Sequence, residues 1–150
     1  MRTLANQTDY SILISRFSAI TPQDLPRWGK MNVYQMLRHV ADAIRVSFGE
    51  VEVSEHTSLI WQTVMKWAAL WYPRTWPQNI VGRPELDQCA IGVAAGDFEA
   101  ARLDALTQLE RLHRAQFRSA RHPFFGNLTL REWMRWGWLH NDHHLRQFGR

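Results

Sequence analysis

The spacing of apolar positions divides the chain into a few long helical patterns separated by proline, glycine and polar punctuation. The first is expected over residues 8–20, opened by an Asp9 or Thr8 cap, with Ile12 or Leu13, Arg16, Phe17 and Ile20 at intervals of three and four, and closed by Thr21-Pro22. A second begins at Asn32, with Gln35 three residues on as an asparagine form of the capping box. It runs an apolar stripe through Met36, Leu37, Val40, Ala41, Ile44 and Phe48 to Gly49. A third, over residues 58–72, sets Trp61, Val64, Met65, Ala68 and Trp71 on one side. That predicts packing against something large before Pro73 ends the helix. Residues 73–96 hold three prolines and three glycines with no sustained period, and read as a long irregular excursion across the surface. Asp97 then caps a helix expected to run to about residue 120, whose core side is Phe98, Ala101, Leu103, Ala105, Leu106, Leu109, Leu112 and Phe117. Residues 121–128 turn the chain, and Thr129 with Glu132 forms a capping box for a last helix reaching Phe148-Gly149. Nothing reads as a convincing sheet. The expected fold is all-α, a four-helix bundle with one shorter extra helix, as a single domain over residues 1–150.

Composition supports a real core: 45% of the 150 residues are hydrophobic, and eight tryptophans, seven phenylalanines and three tyrosines supply large apolar side chains. Cys89 is the only cysteine, so no intramolecular disulfide and no thiolate zinc cluster can form, and any metal must take nitrogen or oxygen ligands. The opening residues lack the basic-then-apolar order of a signal peptide, and no run approaches the ~20 apolar residues of a membrane span. A soluble, cytoplasmic protein is expected. The formal charge of +4 comes from arginines scattered singly, with only Lys30 and Lys66 as lysines, so solvated helix faces are expected rather than a nucleic-acid footprint. Some arginines are left to serve an anionic small ligand.

Candidate chemistry lies in the last helix. His140 and His144, four residues apart, stack on one face and can present imidazole nitrogens to a common point, and Gln147 continues the stripe. Arg131, Arg135, Asp142 and Arg146 fall on the opposite side, read as solvated, which turns the histidine face inward. A catalytic zinc takes three protein ligands and keeps an open position. His39, in mid-helix beside Met36, Val40 and Ala43, is the best candidate for the third ligand; His143 is the alternative, otherwise a substrate contact or a partner of the ligands. His56 and His113, among polar neighbours, are read as having no part in the site, and Trp133, Trp136 and Trp138 as packing residues, one of them walling the pocket.

The stretch His122-Pro123-Phe124-Phe125-Gly126-Asn127-Leu128-Thr129-Leu130-Arg131-Glu132-Trp133, followed by His140-Asn141-Asp142-His143-His144-Leu145-Arg146-Gln147-Phe148-Gly149, resembles a domain-of-unknown-function branch of the DinB-like (YfiT-like) superfamily. The lead Trp28-Gly29-Lys30-Met31-Asn32 through Gln35-Met36-Leu37-Arg38-His39 resembles the same branch, so the resemblance covers essentially the whole chain. It implies an up-down-down-up four-helix bundle, often dimeric, in which His39, His140 and His144 bind a divalent metal. Relatives in the superfamily include transferases and isomerases that use low-molecular-weight thiols, and the resemblance supplies no catalytic acid or base.

The reading is therefore a metal-dependent enzyme, a thiol-dependent transferase or a hydrolase. Zinc or nickel is held by three neutral imidazoles, and a small-molecule substrate, an anionic thiol among the candidates, docks near Arg38 or Arg146. His143 and Gln147 support the site, a homodimer is expected, and no nucleic-acid or membrane partner is. The competing reading is a bundle that binds metal or a small molecule without turnover.

Overall fold

Helices form where local signals and apolar stripes agree. The computed structural model describes residues 1–72, 74–94, 96–114 and 121–150. In chain order they form α1 (Gln7–Ser18), α2 (Val33–Ser47), a π-helical turn (Trp61–Met65) leading into α3 (Lys66–Trp71), a 3-10 turn (Pro84–Leu86), α4 (Phe98–His113), the short strands β1 (Arg121–His122) and β2 (Gly126–Asn127), and α5 (Leu130–Gln147). The two capping boxes are made in full. The Asn32 side chain accepts from Gln35 N while Gln35 returns to the Asn32 N–H, and Thr129 and Glu132 do the same at α5. Asp97 accepts from Ala100 N at the start of α4. The expected end of that helix near residue 120, Phe117 and the Pro73 terminator lie outside the described residues.

α2 packs on α4 and α5, and α1 on α5 and α4, around one core in which Leu13, Phe17, Met36, Leu37, Ile44, Leu109, Leu112, Trp133 and Leu145 are fully buried. The described residues are thus mostly helical, with one two-residue antiparallel ladder among them pairing Arg121 with Asn127 and His122 with Gly126, which the sequence pattern did not anticipate. No helix among the described residues is long and apolar enough to cross a membrane.

Four expectations need correction. α1 is capped by Asn6, whose side chain accepts from Asp9 N, because the Asp9 carboxylate is taken by Thr3 N. In the third helix only Leu70 is buried, and Val64 and Trp67 are 63% and 57% exposed; Met65 and Ala68 face a cavity, and Trp61 lines that cavity while packing partly against the core. Leu103 on α4 is exposed. The 73–96 excursion is not purely superficial: it buries Leu86 and Gln88, and Gln88 Nε2 donates to Asp42.

Gly137, midway along α5, lies close against Leu112 of α4 and Leu4. A Cβ there would lie 2.7 Å from both Leu112 Cδ2 and Leu4 Cδ1, and both leucines are fully buried, so they must shift within the core to admit it. Overpacking costs ~1–3 kcal/mol, against a helix-propensity gain of at most about 1 kcal/mol for replacing glycine. Gly137→Ala is expected to lower the urea midpoint with an unchanged m value; a raised midpoint would refute the close contact.

Candidate metal centre

α2 and α5 meet with three imidazoles between them. The Asn32 box sets the start of α2, Met36 and Val40 anchor it in the core, and His39 emerges beside them. His140 and His144 emerge one turn apart from α5. One nitrogen of each of the three lies within 4.8 Å of the others, and His39 Nε2 is 3.3 Å from His140 Nε2. Two nitrogens bound tetrahedrally to one ion at ~2.0–2.1 Å stand about 3.3 Å apart, so this pair already has the separation a shared ion requires.

Hydrogen bonds on the far sides of the rings fix where the lone pairs point. His39 Nδ1 lies 2.8 Å from the Leu86 carbonyl, an acceptor only, so this nitrogen carries the proton and Nε2 keeps its lone pair. Gln147 Nε2 donates to the Trp28 carbonyl at 2.8 Å, which turns its Oε1 toward His144 Nδ1 at 3.0 Å and leaves His144 Nε2 as the free acceptor. His140 stacks on Trp136 with ring centroids 4.8 Å apart, and its Nδ1 is buried without a hydrogen-bond partner. Burial holds all three below the usual histidine range. Mutual repulsion among the rings adds to this at His140 and His144, while the Leu86 carbonyl opposes it at His39 and Gln147 opposes it at His144. Neutral imidazoles with inward lone pairs are the form that binds a divalent metal.

His143 is not one of the three converging imidazoles, although its ring lies edge-on to His144 at 5.2 Å between centroids. Its ring lies against Trp28 and Trp76, at 5.9 and 6.0 Å between centroids, and burial followed by the Arg146 charge lowers its pKa to about 4. It lines a cavity of about 1000 Å³ that also contains the three clustered histidines and Gln147. Trp28, Trp61, Trp76, Trp136, Phe124 and Phe125 make that cavity largely aromatic, in the size range of small-molecule sites. Trp133 and Trp136 both reach it, whereas Trp138 packs elsewhere. Arg38 is not among its lining residues, and Arg146 is ion-paired with Asp142 away from it; the cations at the cavity are Lys30, Arg74 and Arg83. Asp87 is a lining carboxylate that the sequence pattern did not reveal, with Oδ1 accepting from Cys89 N and Ala90 N. His56 and His113 lie outside the site, and His113 instead bonds the Leu4 carbonyl and stacks on Tyr10.

His122 was legible only as part of a motif. Its Nδ1 accepts from Phe124 N and Phe125 N, its ring stacks on Phe125, and burial lowers its pKa to about 3. The unfolded chain, with a histidine pKa of ~6.5, takes up this proton first, so the stability from a neutral His122 is complete above that pH and is lost as pH falls toward the folded value. At pH 5 the loss is about 2 kcal/mol. His122→Asn, which keeps an acceptor near Nδ1 but does not titrate, is expected to lose about 2 kcal/mol less stability than the parent between pH 7 and pH 5. Parallel pH profiles would refute this.

A family profile described as "Protein of unknown function (DUF1569)" matches residues 13–150. No curated protein and no solved structure matches the chain. With all but its first twelve residues matched, the chain belongs to the DUF1569 family of proteins of unknown function.

Proposed function

We propose that this protein is a metal-dependent enzyme of the DinB-like (YfiT-like) four-helix-bundle type. His39, His140 and His144 hold one divalent ion, zinc or nickel, at the wall of an aromatic cavity that admits a small-molecule substrate. The observation that carries this reading is the convergence of three neutral imidazoles, two of them with lone pairs aimed inward by hydrogen bonds to Leu86 and Gln147. A divalent ion on three neutral ligands keeps its full charge and lowers the pKa of a water or thiol beside it. The resemblance of the His140–His144 helix and of the lead into His39 to a superfamily containing thiol-dependent transferases supports a low-molecular-weight thiol as co-substrate, and supports a cytoplasmic homodimer.

In that reaction the thiol sulfur bonds to an electrophilic carbon, the leaving group departs with the bonding pair, and the thiol proton passes to solvent. The chain's own contribution is placement. Aromatic rings exclude water from the apolar body of the substrate, and the His143 imidazole, neutral near pH 7, contacts it. The test is a panel of cellular thiols against electrophiles, with metal-loaded protein beside His140→Ala. Turnover that requires both metal and His140 is expected. Metal at one per chain with no turnover would overturn the enzyme reading in favour of a bundle that binds without catalysis.

A further inference from the structure

On the other side of α5 from the three imidazoles lies a second pocket, of about 280 Å³, lined by Arg2, Arg74, Arg135 and Arg146 with Trp76 and Trp138 among its walls. Asp142 also lines it, but that carboxylate is already committed: Oδ1 accepts from Arg16 Nη1 at 2.6 Å and Oδ2 from Arg146 Nε at 2.9 Å. Arg135 is 8% exposed, although its charge suggested a solvated position. Its Nε donates to the Leu70 carbonyl at 2.8 Å and its Nη1 to the Arg2 carbonyl at 2.5 Å, and among the described residues no carboxylate lies within ion-pair distance. Burial lowers its pKa, with Asp9 and Asp142 opposing from farther off. A guanidinium enclosed in this way has given up much of its hydration and gained two dipoles, with carboxylates only at a distance and none among the described residues in direct contact.

Two further guanidiniums converge on the same space. Arg2 lies over the Trp138 ring at 5.4 Å and Arg74 over the Tyr72 ring at 5.5 Å, and among the described residues neither is in ion-pair contact with a carboxylate. Three forked cations with no carboxylate in ion-pair contact are the complement of an oxyanion, which guanidinium groups bind through paired, charge-assisted hydrogen bonds. We propose that this pocket is a binding site for the phosphoryl or sulfuryl group of a small molecule. The apolar walls Trp76, Trp138 and Leu139 leave room for an organic portion beside the anion. The proposal does not rest on the metal reading: the pocket contains none of the three clustered histidines. It does share Arg74, Thr75 and Trp76 with the aromatic cavity, so segment 74–76 forms a wall of both.

The test is calorimetric titration of the full chain, stripped of metal with a chelator so that no phosphate is taken up by an ion, at ionic strength held constant with chloride. Inorganic phosphate, sulfate and phenyl phosphate are the probes. Saturable binding at one site per chain is expected; tighter binding of phenyl phosphate assigns the site to an organic phosphate, and equal binding assigns it to the free ion. Arg74→Gln and Arg2→Gln are each expected to weaken binding about ten-fold. Arg102→Gln, on α4 and paired with Glu99, should leave it unchanged. Arg135→Gln removes donors from the buried Leu70 carbonyl and the part-buried Arg2 carbonyl and so tests folding as well as binding, which is why the two exposed arginines carry the test. Absence of saturable binding, or binding that survives both Arg74→Gln and Arg2→Gln, would overturn the proposal.

Discussion

Replacing His39, His140 or His144 with alanine is expected to drop bound metal from about one ion per chain to background, the largest effect of any substitution considered. Each would contribute one of the three nitrogens that cluster among the described residues, and the pair at 3.3 Å, His39 Nε2 and His140 Nε2, comes from two different helices. Losing either removes the bridge between α2 and α5 as well as a ligand. The controls are His56→Ala and His113→Ala. The second breaks the bond to the Leu4 carbonyl and the Tyr10 stack, so it is expected to lower stability while leaving metal content unchanged. Metal analysis of protein without an affinity tag makes the measurement. One ion per chain retained in His140→Ala would refute the ligand assignment. Because imidazole must be deprotonated to coordinate, the parent protein is expected to release metal progressively as pH falls below the ~6.5 reference, with tight binding moving release lower.

How much of this was legible depends on whether the deciding contact is local. α2 and α5 declared their starts because Asn32 with Gln35, and Thr129 with Glu132, satisfy each other within a single turn. The sequence points to Asp9 or Thr8 as the cap of α1, yet Asn6 takes the role; the choice is made by Thr3 N reaching Asp9, while Leu4 N bonds the Met134 carbonyl on α5. The third helix carried the composition of a core helix, but a cavity wall is as apolar as a core. Trp61, Met65 and Ala68 can be told from core residues only when the opposing surface is known. Arg135 has the sequence signature of a solvated residue for the converse reason. Its covering comes from Arg2 and Leu70, both remote in sequence, and nothing in its own helix marks it as buried.

The same distinction runs through the candidate site. The i, i+4 pair on α5 and the mid-helix His39 could be singled out because ligand types and helical spacing are sequence properties. The groups that orient them were less accessible. The Leu86 carbonyl sits on a 3-10 turn in a segment with no periodic pattern, and a main-chain acceptor has no side-chain signature. Gln147 was accessible because it lies one turn beyond His144 on the same stripe, although its second partner, the Trp28 carbonyl, is 119 residues away in sequence.

Gln147→Ala is expected to weaken metal binding by ~10–100-fold without abolishing it, the range typical of groups that orient a ligand histidine. Gln147 is 3% exposed and joins two elements: Nε2 donates to the Trp28 carbonyl and Oε1 accepts from His144 Nδ1. The Trp28 carbonyl can only accept, so the amide has one workable orientation, and that orientation fixes the proton on His144 Nδ1 and the lone pair on Nε2. The competing role, holding the end of α5, belongs to its main chain: the Gln147 carbonyl accepts from Arg27 N at 2.7 Å, and any side chain preserves that bond. Gly29 supplies an independent perturbation. It has φ +80°, and a Cβ there would stand 2.5 Å from Gln147 Nε2, so Gly29→Ala must displace the amide while leaving its chemistry intact. Both variants are expected to lose zinc affinity in chelator-competition titrations while keeping the helical circular dichroism of the parent, with Gln147→Glu, which still accepts from His144 but repels the Trp28 carbonyl, between Gln147→Ala and the parent. If Gln147→Ala and Gly29→Ala both bind zinc as tightly as the parent, the side chain holds the Trp28 segment to α5 and has no part in orienting His144.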